Sequence, residues 1–323
     1  MKAAVVTAGG AAPQWTDFPD PALVPGEMLV SVSAAALSPL ARARASGQHY
    51  SATNAATFVA GVDGVGRLQD GRRVYFAFVR TPFGAMAQVA PARADCIVPV
   101  PEDVDDVTAA AIANPAMSSW PALCDRAGFQ PGESVLINGA TGAAGRLAVQ
   151  IAKHLGAKNV VATGRNAEQL ERAAALGADR TIPLEPDDGL DDALHAALVD
   201  CDIAIVLDYL WGVSAQRLLA AIARNAAEPA APRIRFVQIG AVSGSEISLD
   251  ASVLRGSGVE LLGSGLRSVP QARLVSRIGE ALAAVVPAKF EVDATARPMV
   301  DVQAAWNDDT GGQRLVFVLD SHP

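Results

Sequence analysis

Three glycines spaced three residues apart, in Gly139-Ala-Thr-Gly-Ala-Ala-Gly145, constrain this chain more than any other stretch. They follow Ser134-Val-Leu-Ile-Asn138, a short apolar run of buried-strand character, and open a segment of helical periodicity. In that segment Ala144, Leu147, Ala148, Ile151, Ala152 and Leu155 step by three and four and make one apolar face, with Arg146, Gln150 and Lys153 on the other side. A tight turn without side chains lets backbone approach a pyrophosphate, and the helix start beyond it offers free N–H groups and partial positive charge. The spacing differs from G-x-G-x-x-G, but a second strand follows about 20 residues on, at Asn159-Val-Val-Ala-Thr163, as a nucleotide-binding unit requires.

The end of that second strand selects the dinucleotide. A carboxylate there would bind ribose hydroxyls and repel a 2′-phosphate. Here the strand runs into Thr163-Gly164-Arg165-Asn166, with no acid and with a guanidinium suited to phosphate. The expected cofactor is NADPH.

Further along, a helix is expected from about Ala167 to Leu176, stopped by Gly177. Strands read at Ile203–Leu207, Ile234–Ile239 and Val259–Leu262, with a helix from about Ser214 to Arg224 between the first two. Strands alternating with helices predict an α/β fold, a doubly wound parallel sheet covered on both faces. The first third differs: Pro- and Gly-punctuated, with short strands at Met28–Ser33, Arg73–Phe78 and Gln88-Val89. The tail reads as a helix at Gln271–Val285 and a strand at Arg314–Leu319, which would complete that first, β-rich region.

Composition narrows the function. The 323 residues carry a formal charge of −8, against the surplus of Lys and Arg that nucleic acid or anionic membrane demands. No apolar run approaches the roughly 20 residues of a membrane span, and the strand-like start, Met1 to Val6, lacks a signal-peptide layout, so a cytoplasmic location is expected. Cys96, Cys124 and Cys201 are too few and too scattered for a disulfide framework or a Cys-rich zinc site. His49, His154, His195 and His322 have no metal-motif spacing, and no metal is expected.

The run from Val135 to Ala157 closely resembles the cofactor segment of the medium-chain dehydrogenase/reductase superfamily, in its zinc-independent quinone oxidoreductase-like branch. Leu176-Gly-Ala-Asp179 resembles the next landmark. Gly26-Glu-Met-Leu-Val30, Gly61-Val-Asp-Gly-Val-Gly66, Gly84-Ala-Met-Ala-Gln88 and Gly312-Gln-Arg-Leu-Val316 resemble others, in the same order along nearly the whole chain. The resemblance implies a GroES-like β-rich catalytic domain from residues 1–118 and 265–323, a Rossmann NADPH-binding domain from 119–264, and an active site in the cleft between them. Zinc-dependent members place a Cys in the region of Ala36-Leu37-Ser38-Pro39 and a His-Glu pair at Val62-Asp63. With neither Cys nor His here, a catalytic zinc lacks ligands, and Asp63 alone reads as structural.

The resemblance implies hydride transfer from NADPH to a quinone or an α,β-unsaturated carbonyl. Tyr50 resembles a tyrosine near the nicotinamide and is the expected donor to the acceptor oxygen, with Ser38 lining the same pocket and His49 a weaker alternative. Ser118, in Asn114-Pro-Ala-Met-Ser-Ser-Trp120, resembles a hydroxyl residue on the nicotinamide side. Cofactor contacts are expected from Gly139, Thr141, Gly142, Ala143, Ala144, Gly145, Gly164, Arg165, Asn166, Gly240 and Ala241, while Tyr209 and Trp211 face either the cofactor or the core. The apolar strand at 259–262 predicts a homodimer paired through that edge. Two other functions remain open: an enoyl-thioester reductase acting on acyl-CoA or acyl-carrier-protein substrates, with Arg42 and Arg44 as carrier contacts, and a non-catalytic NADPH-binding sensor or structural protein.

Overall fold

The structure is a computed structural model that describes residues 1–7, 11–53, 55–185, 189–224, 232–308 and 311–319. His322, and residues 309, 310 and 320–323 of the expected second catalytic segment, lie outside that set. In chain order the first elements are β1 (Lys2–Thr7), β2 (Gln14–Asp17), β3 (Glu27–Ala36), α1 (Pro39–Ala45), β4 (Thr57–Val59), β5 (Asp63–Leu68), β6 (Arg73–Ala77), β7 (Val89–Arg93), β8 (Ile97–Pro99) and α2 (Asp106–Pro121). Then come β9 (Ser134–Asn138), α3 (Ala143–His154), β10 (Val160–Gly164), α4 (Ala167–Ala175), β11 (Arg180–Pro183), α5 (Leu190–Asp200), β12 (Ile203–Asp208), α6 (Gly212–Arg224), β13 (Arg233–Gln238), α7 (Ala251–Gly256) and β14 (Gly258–Gly263). The chain closes with α8 (Gln271–Ala284), β15 (Ala294–Pro298), α9 (Val302–Ala305) and β16 (Arg314–Val318).

Two compact units result: Met1–Asn114 with Gln271–Pro323, and Pro115–Pro270. In the second, six parallel strands lie in the order β11-β10-β9-β12-β13-β14. The chain winds outward from β9 to β11, returns to β12 on the other side of β9, and winds outward again. That reversal makes the gap between β9 and β12 the topological switch point, where open parallel sheets receive ligands. The strands β9 and β10 are buried along their whole length, which explains their unbroken apolar runs. Leu136, Val161, Leu194, Leu218 and Phe236 belong to the core under one face of this sheet.

The polar side of α3 departs from its periodicity. Arg146 and Gln150 are both buried. Arg146 Nη1 donates to Gln169 Oε1 of α4, and Gln150 Nε2 bonds back to Arg146 O. The helix has a second helix beside it, so its nominally polar flank is covered, and long side chains stay satisfied by reaching polar atoms there. Two elements that the pattern did not mark, β11 and α5, complete the first half of the sheet.

The first unit is β-rich. One sheet follows β15-β16-β3-β5-β6-β8, with β7 also paired to β3, and a smaller one is β2-β1-β4. The C-terminal β16 pairs antiparallel with β3, Val316 opposite Ala36, so residues from both ends of the chain share one sheet. Gly84–Gln88 is not a strand; Ala87 only bridges Ala3. No helix among the described residues is long and apolar enough to cross a membrane.

Candidate cofactor site

The glycine loop leaves β9 at Asn138 and enters α3 at Ala143. Gly139 has φ +93°, left-handed backbone that a side chain would strain, and a Cβ there would lie 2.8 Å from the Leu210 side chain. Gly145 faces inward: a Cβ would come within 2.3 Å of Gly139 O, so the first turn of α3 packs directly on the loop. Gly142 is the N-cap of α3 and supplies no side-chain cap, and the space beside its Cα is open. The N–H groups of Ala143, Ala144 and Gly145 open the helix, where an α-helix has no internal acceptors for them. This is a bare helix N-terminus with open space in front, suited to an anion.

Beyond β10, Gly164 lies against Thr141, whose Cγ2 would be 2.2 Å from an added Cβ. Close packing at that point holds the loop to the end of the strand. Asn166 caps α4, its side chain accepting from Gln169 N at 2.9 Å. Arg165 between them is exposed and makes no side-chain hydrogen bond or ion pair among the described residues. A cation placed beside a bare helix N-terminus, and spent on no internal partner, is available to a second anionic group.

The register of the sheet brings together a cluster that sequence reasoning missed. Asn138, Thr163 and Asp208 are cross-strand partners at the ends of β9, β10 and β12, and all three are fully buried. Asn138 Nδ2 donates to Asp208 Oδ1 at 2.8 Å, and Asn138 Oδ1 accepts from Thr163 Oγ1 at 2.7 Å and from Ser214 Oγ at 2.8 Å. Thr163 Oγ1 in turn accepts from Gly139 N at 3.2 Å. Burial pushes the Asp208 carboxyl up, while the N–H groups of Trp211 and Leu210 and the Asn138 amide favour its ionised form. The glycine loop is thus tied through side chains to the carboxyl ends of three strands. The available signal was that each apolar run ends on one polar residue.

On the far side of the switch point Tyr209 is buried, with its hydroxyl 3.0 Å from Ser119 Oγ and 3.5 Å from Ser118 Oγ. Both serines donate to Pro115 O, at 2.7 and 3.1 Å. Ser119, the more buried of the two, was not anticipated. Gly240 follows β13, and a Cβ there would be 2.6 Å from Tyr209 O; the neighbouring Ala241 is exposed. So Ser118, Gly240 and the Gly139 loop all adjoin the segment Tyr209-Leu210, within one unit.

In the β-rich unit, Ser38 is 1% exposed and is the N-cap of α1, its Oγ accepting from Ala41 N at 3.0 Å. Tyr50 is 57% exposed, in the turn after α1, its ring 4.2 Å from that of His49.

Residues 143–286 match the family model described as zinc-binding dehydrogenase. A probable NADPH-dependent quinone reductase of Emericella nidulans is 27% identical, over 98% of this chain and all of that protein. The quinone oxidoreductase of Thermus thermophilus, whose structure was solved alone and with NADPH, superposes with a TM-score of 0.80 at 23% identity, over 99% of this chain and all of that one. Along nearly its whole length the chain is similar to proteins named quinone reductase or quinone oxidoreductase. A subunit of a phenolphthiocerol/phthiocerol polyketide synthase of Mycobacterium tuberculosis is 33% identical over 59% of this chain, which spans only 8% of that protein.

The name of the matched family makes zinc worth testing against the donors present. At the positions where the sequence resemblance puts the ligands of zinc-dependent proteins, Ala36 to Pro39 and Val62-Asp63, only Asp63 has a donor of that kind. Asp63 is buried and accepts from Tyr75 Oη at 3.0 Å. Burial raises its pKa to about 6, offset in part by the Tyr75 hydrogen bond and the charge of Arg314. Among the described residues no group of three or more His, Cys, Asp or Glu side chains is placed to hold a metal. A single buried carboxyl that ionises reluctantly does not fit zinc.

Proposed function

We propose that this chain is an NADPH-dependent, zinc-independent oxidoreductase that delivers hydride to a quinone or an α,β-unsaturated carbonyl. The observation that carries it is the pairing of a bare α3 N-terminus with Arg165, a cation with no side-chain partner among the described residues, one residue past β10 where a carboxylate would exclude the 2′-phosphate. The end-to-end likeness to a protein named a probable NADPH-dependent quinone reductase supports it.

Bound NADPH supplies the hydride from its nicotinamide. The chain's own groups have four tasks. The N–H groups of Ala143, Ala144 and Gly145 hold the pyrophosphate, with Gly139, Thr141 and Gly142 keeping the approach clear. Arg165 binds the 2′-phosphate, while Gly164 and Asn166 keep it at the end of β10. Ser118, Gly240 and Ala241 line the reactive end. For the acceptor oxygen, the donor in this reading is Tyr50, whose exposed phenol gives a developing oxyanion a hydrogen bond and a proton. Ser38 acts behind it by capping α1. A homodimer joined through the edge strand β14 and a cytoplasmic location belong to the same reading.

Enoyl-thioester reduction is the second reading, favoured by the likeness to a segment of a polyketide synthase. Titration with NADPH and NADH, followed by nicotinamide fluorescence, tests the cofactor assignment. Wild type should prefer NADPH, and Arg165→Ala should lose about ten- to a hundredfold in NADPH affinity while keeping its affinity for NADH. Binding of neither nucleotide by wild type overturns the assignment. NADPH binding without turnover of any quinone, enone or enoyl thioester leaves a sensor.

A further inference from the structure

The strand β12 ends at Asp208, and the chain then makes a turn that its residues do not favour. Trp211 has φ +58° and Gly212 φ +56°. A bulky side chain avoids that region, and it persists only where the surroundings over-determine it. Here they do. The Asp208 carboxylate accepts from Leu210 N at 3.0 Å and from Trp211 N at 3.1 and 3.2 Å. Asn138 holds that carboxylate from behind. Gly212 admits no side chain, because a Cβ would lie 2.5 Å from Ser243 O.

Trp211 lines an open cavity of about 430 Å³, shared with Gln238, Ala241, Ser245, Leu261 and Leu262. The cavity lies at the carboxyl ends of β12, β13 and β14, where parallel sheets bind ligands. No lining residue carries a formal charge. Trp211 is only half-buried, in edge contact with Phe236, with ring centroids 6.4 Å apart. An aromatic wall, two leucines and two polar edges in that volume match one or two flat rings bearing a polar substituent.

We propose that this cavity is a subsite for a flat conjugated ring packed against Trp211, and that Trp211 makes the enzyme prefer cyclic, planar acceptors to short open-chain ones. The proposal rests on the hydride-transfer reading above. The same chemistry belongs to two rings, that of the acceptor and the nicotinamide itself, and the experiment separates them.

Wild type and Trp211→Leu are compared by KM for 1,4-naphthoquinone, KM for 3-penten-2-one and Kd for NADPH, with Trp211→Phe as the variant that keeps a flat ring. The expected result is a naphthoquinone KM raised at least about tenfold in Trp211→Leu and restored to within about threefold by Phe, with pentenone KM and NADPH Kd unchanged. A rise confined to the NADPH Kd assigns the subsite to the nicotinamide and overturns the acceptor preference. Equal changes for both acceptors, or none, overturn the proposal. If wild type binds NADPH but turns over no acceptor, the proposed reaction fails on its own. Quenching of intrinsic fluorescence by naphthoquinone, present in wild type and lost in Trp211→Leu, still tests the cavity; quenching unchanged in the variant overturns it.

Discussion

In the parallel-sheet unit, Asn138, Thr163 and Asp208 are buried shoulder to shoulder, and the side chain of each is hydrogen-bonded. In the β-rich unit, Asp63, Tyr75 and Arg314 are buried too, but Asp63 Oδ1 and Arg314 Nε and Nη2 have no hydrogen-bond partner among the described residues. Burial pushes the Tyr75 phenol well up, with the Asp63 carboxylate adding to it, and pushes the Arg314 guanidinium down. Both clusters bring distant strands together: β9, β10 and β12 in one case, β5, β6 and β16 in the other. The difference lies in what the polarity does. The satisfied cluster adjoins the glycine loop and fixes its backbone. The unsatisfied one retains a buried charge with little to solvate it.

The most severe way to break this comparison is Asn138→Ala. It removes the side-chain donor to Asp208 and the acceptor of Thr163 and Ser214 at once, leaving the buried Asp208 carboxylate with only its backbone donors. The expected loss is roughly 3–4 kcal/mol in urea denaturation, with weakened NADPH binding, because the Gly139 N–H is held through Thr163. A loss below about 1 kcal/mol would show that the cluster holds nothing together.

Next in size is Asp63→Asn, read through pH. The Asp63 pKa is about 6 in the fold against 3.8 as its ordinary value, so the fold prefers the protonated form. Its contribution to stability is complete below about pH 4, falls as pH rises through 4 to 6, and is lost above that. A rise of two units corresponds to at most about 3 kcal/mol. Urea denaturation at several pH values should show this decline in wild type relative to Asp63→Asn, whose side chain does not titrate. A difference curve that is flat between pH 4 and 6 would mean that solvent or a partner reaches the carboxyl.

The smallest effect sharpens the contrast from the other direction. Ser38→Ala should cost about 1 kcal/mol by removing the cap of α1, measured by thermal melting. If it also lowers kcat well beyond what the lost stability explains, Ser38 touches the acceptor and is not only a cap.

Much of the parallel-sheet unit was legible because its signals are local. A buried strand reads as an unbroken apolar run, and β9 spans the expected Ser134–Asn138 to the residue. The ends of β12, β13 and β14 fall within one residue of expectation. The element α5 escaped because its apolar positions are diluted by acids and alanines, and β11 because only Ile182 of its four residues is apolar and buried. In the β-rich unit the strands are short and their partners lie far off in sequence, so β4, β5, β8 and β15 left little trace.

The sequence by itself determined the order of strands and helices in the parallel-sheet unit, the glycine loop between β9 and α3, and the absence of an acid beside Arg165. Each of these is written within a few neighbouring residues. Only the tertiary structure decided that Asn138, Thr163 and Asp208 meet, that Arg146 and Gln150 are buried, and that Trp211 is held left-handed against a cavity. Those outcomes depend on register between strands up to 70 residues apart and on which helix covers which flank. Such pairings are selected by the free energy of packing the whole unit, and no local pattern records them.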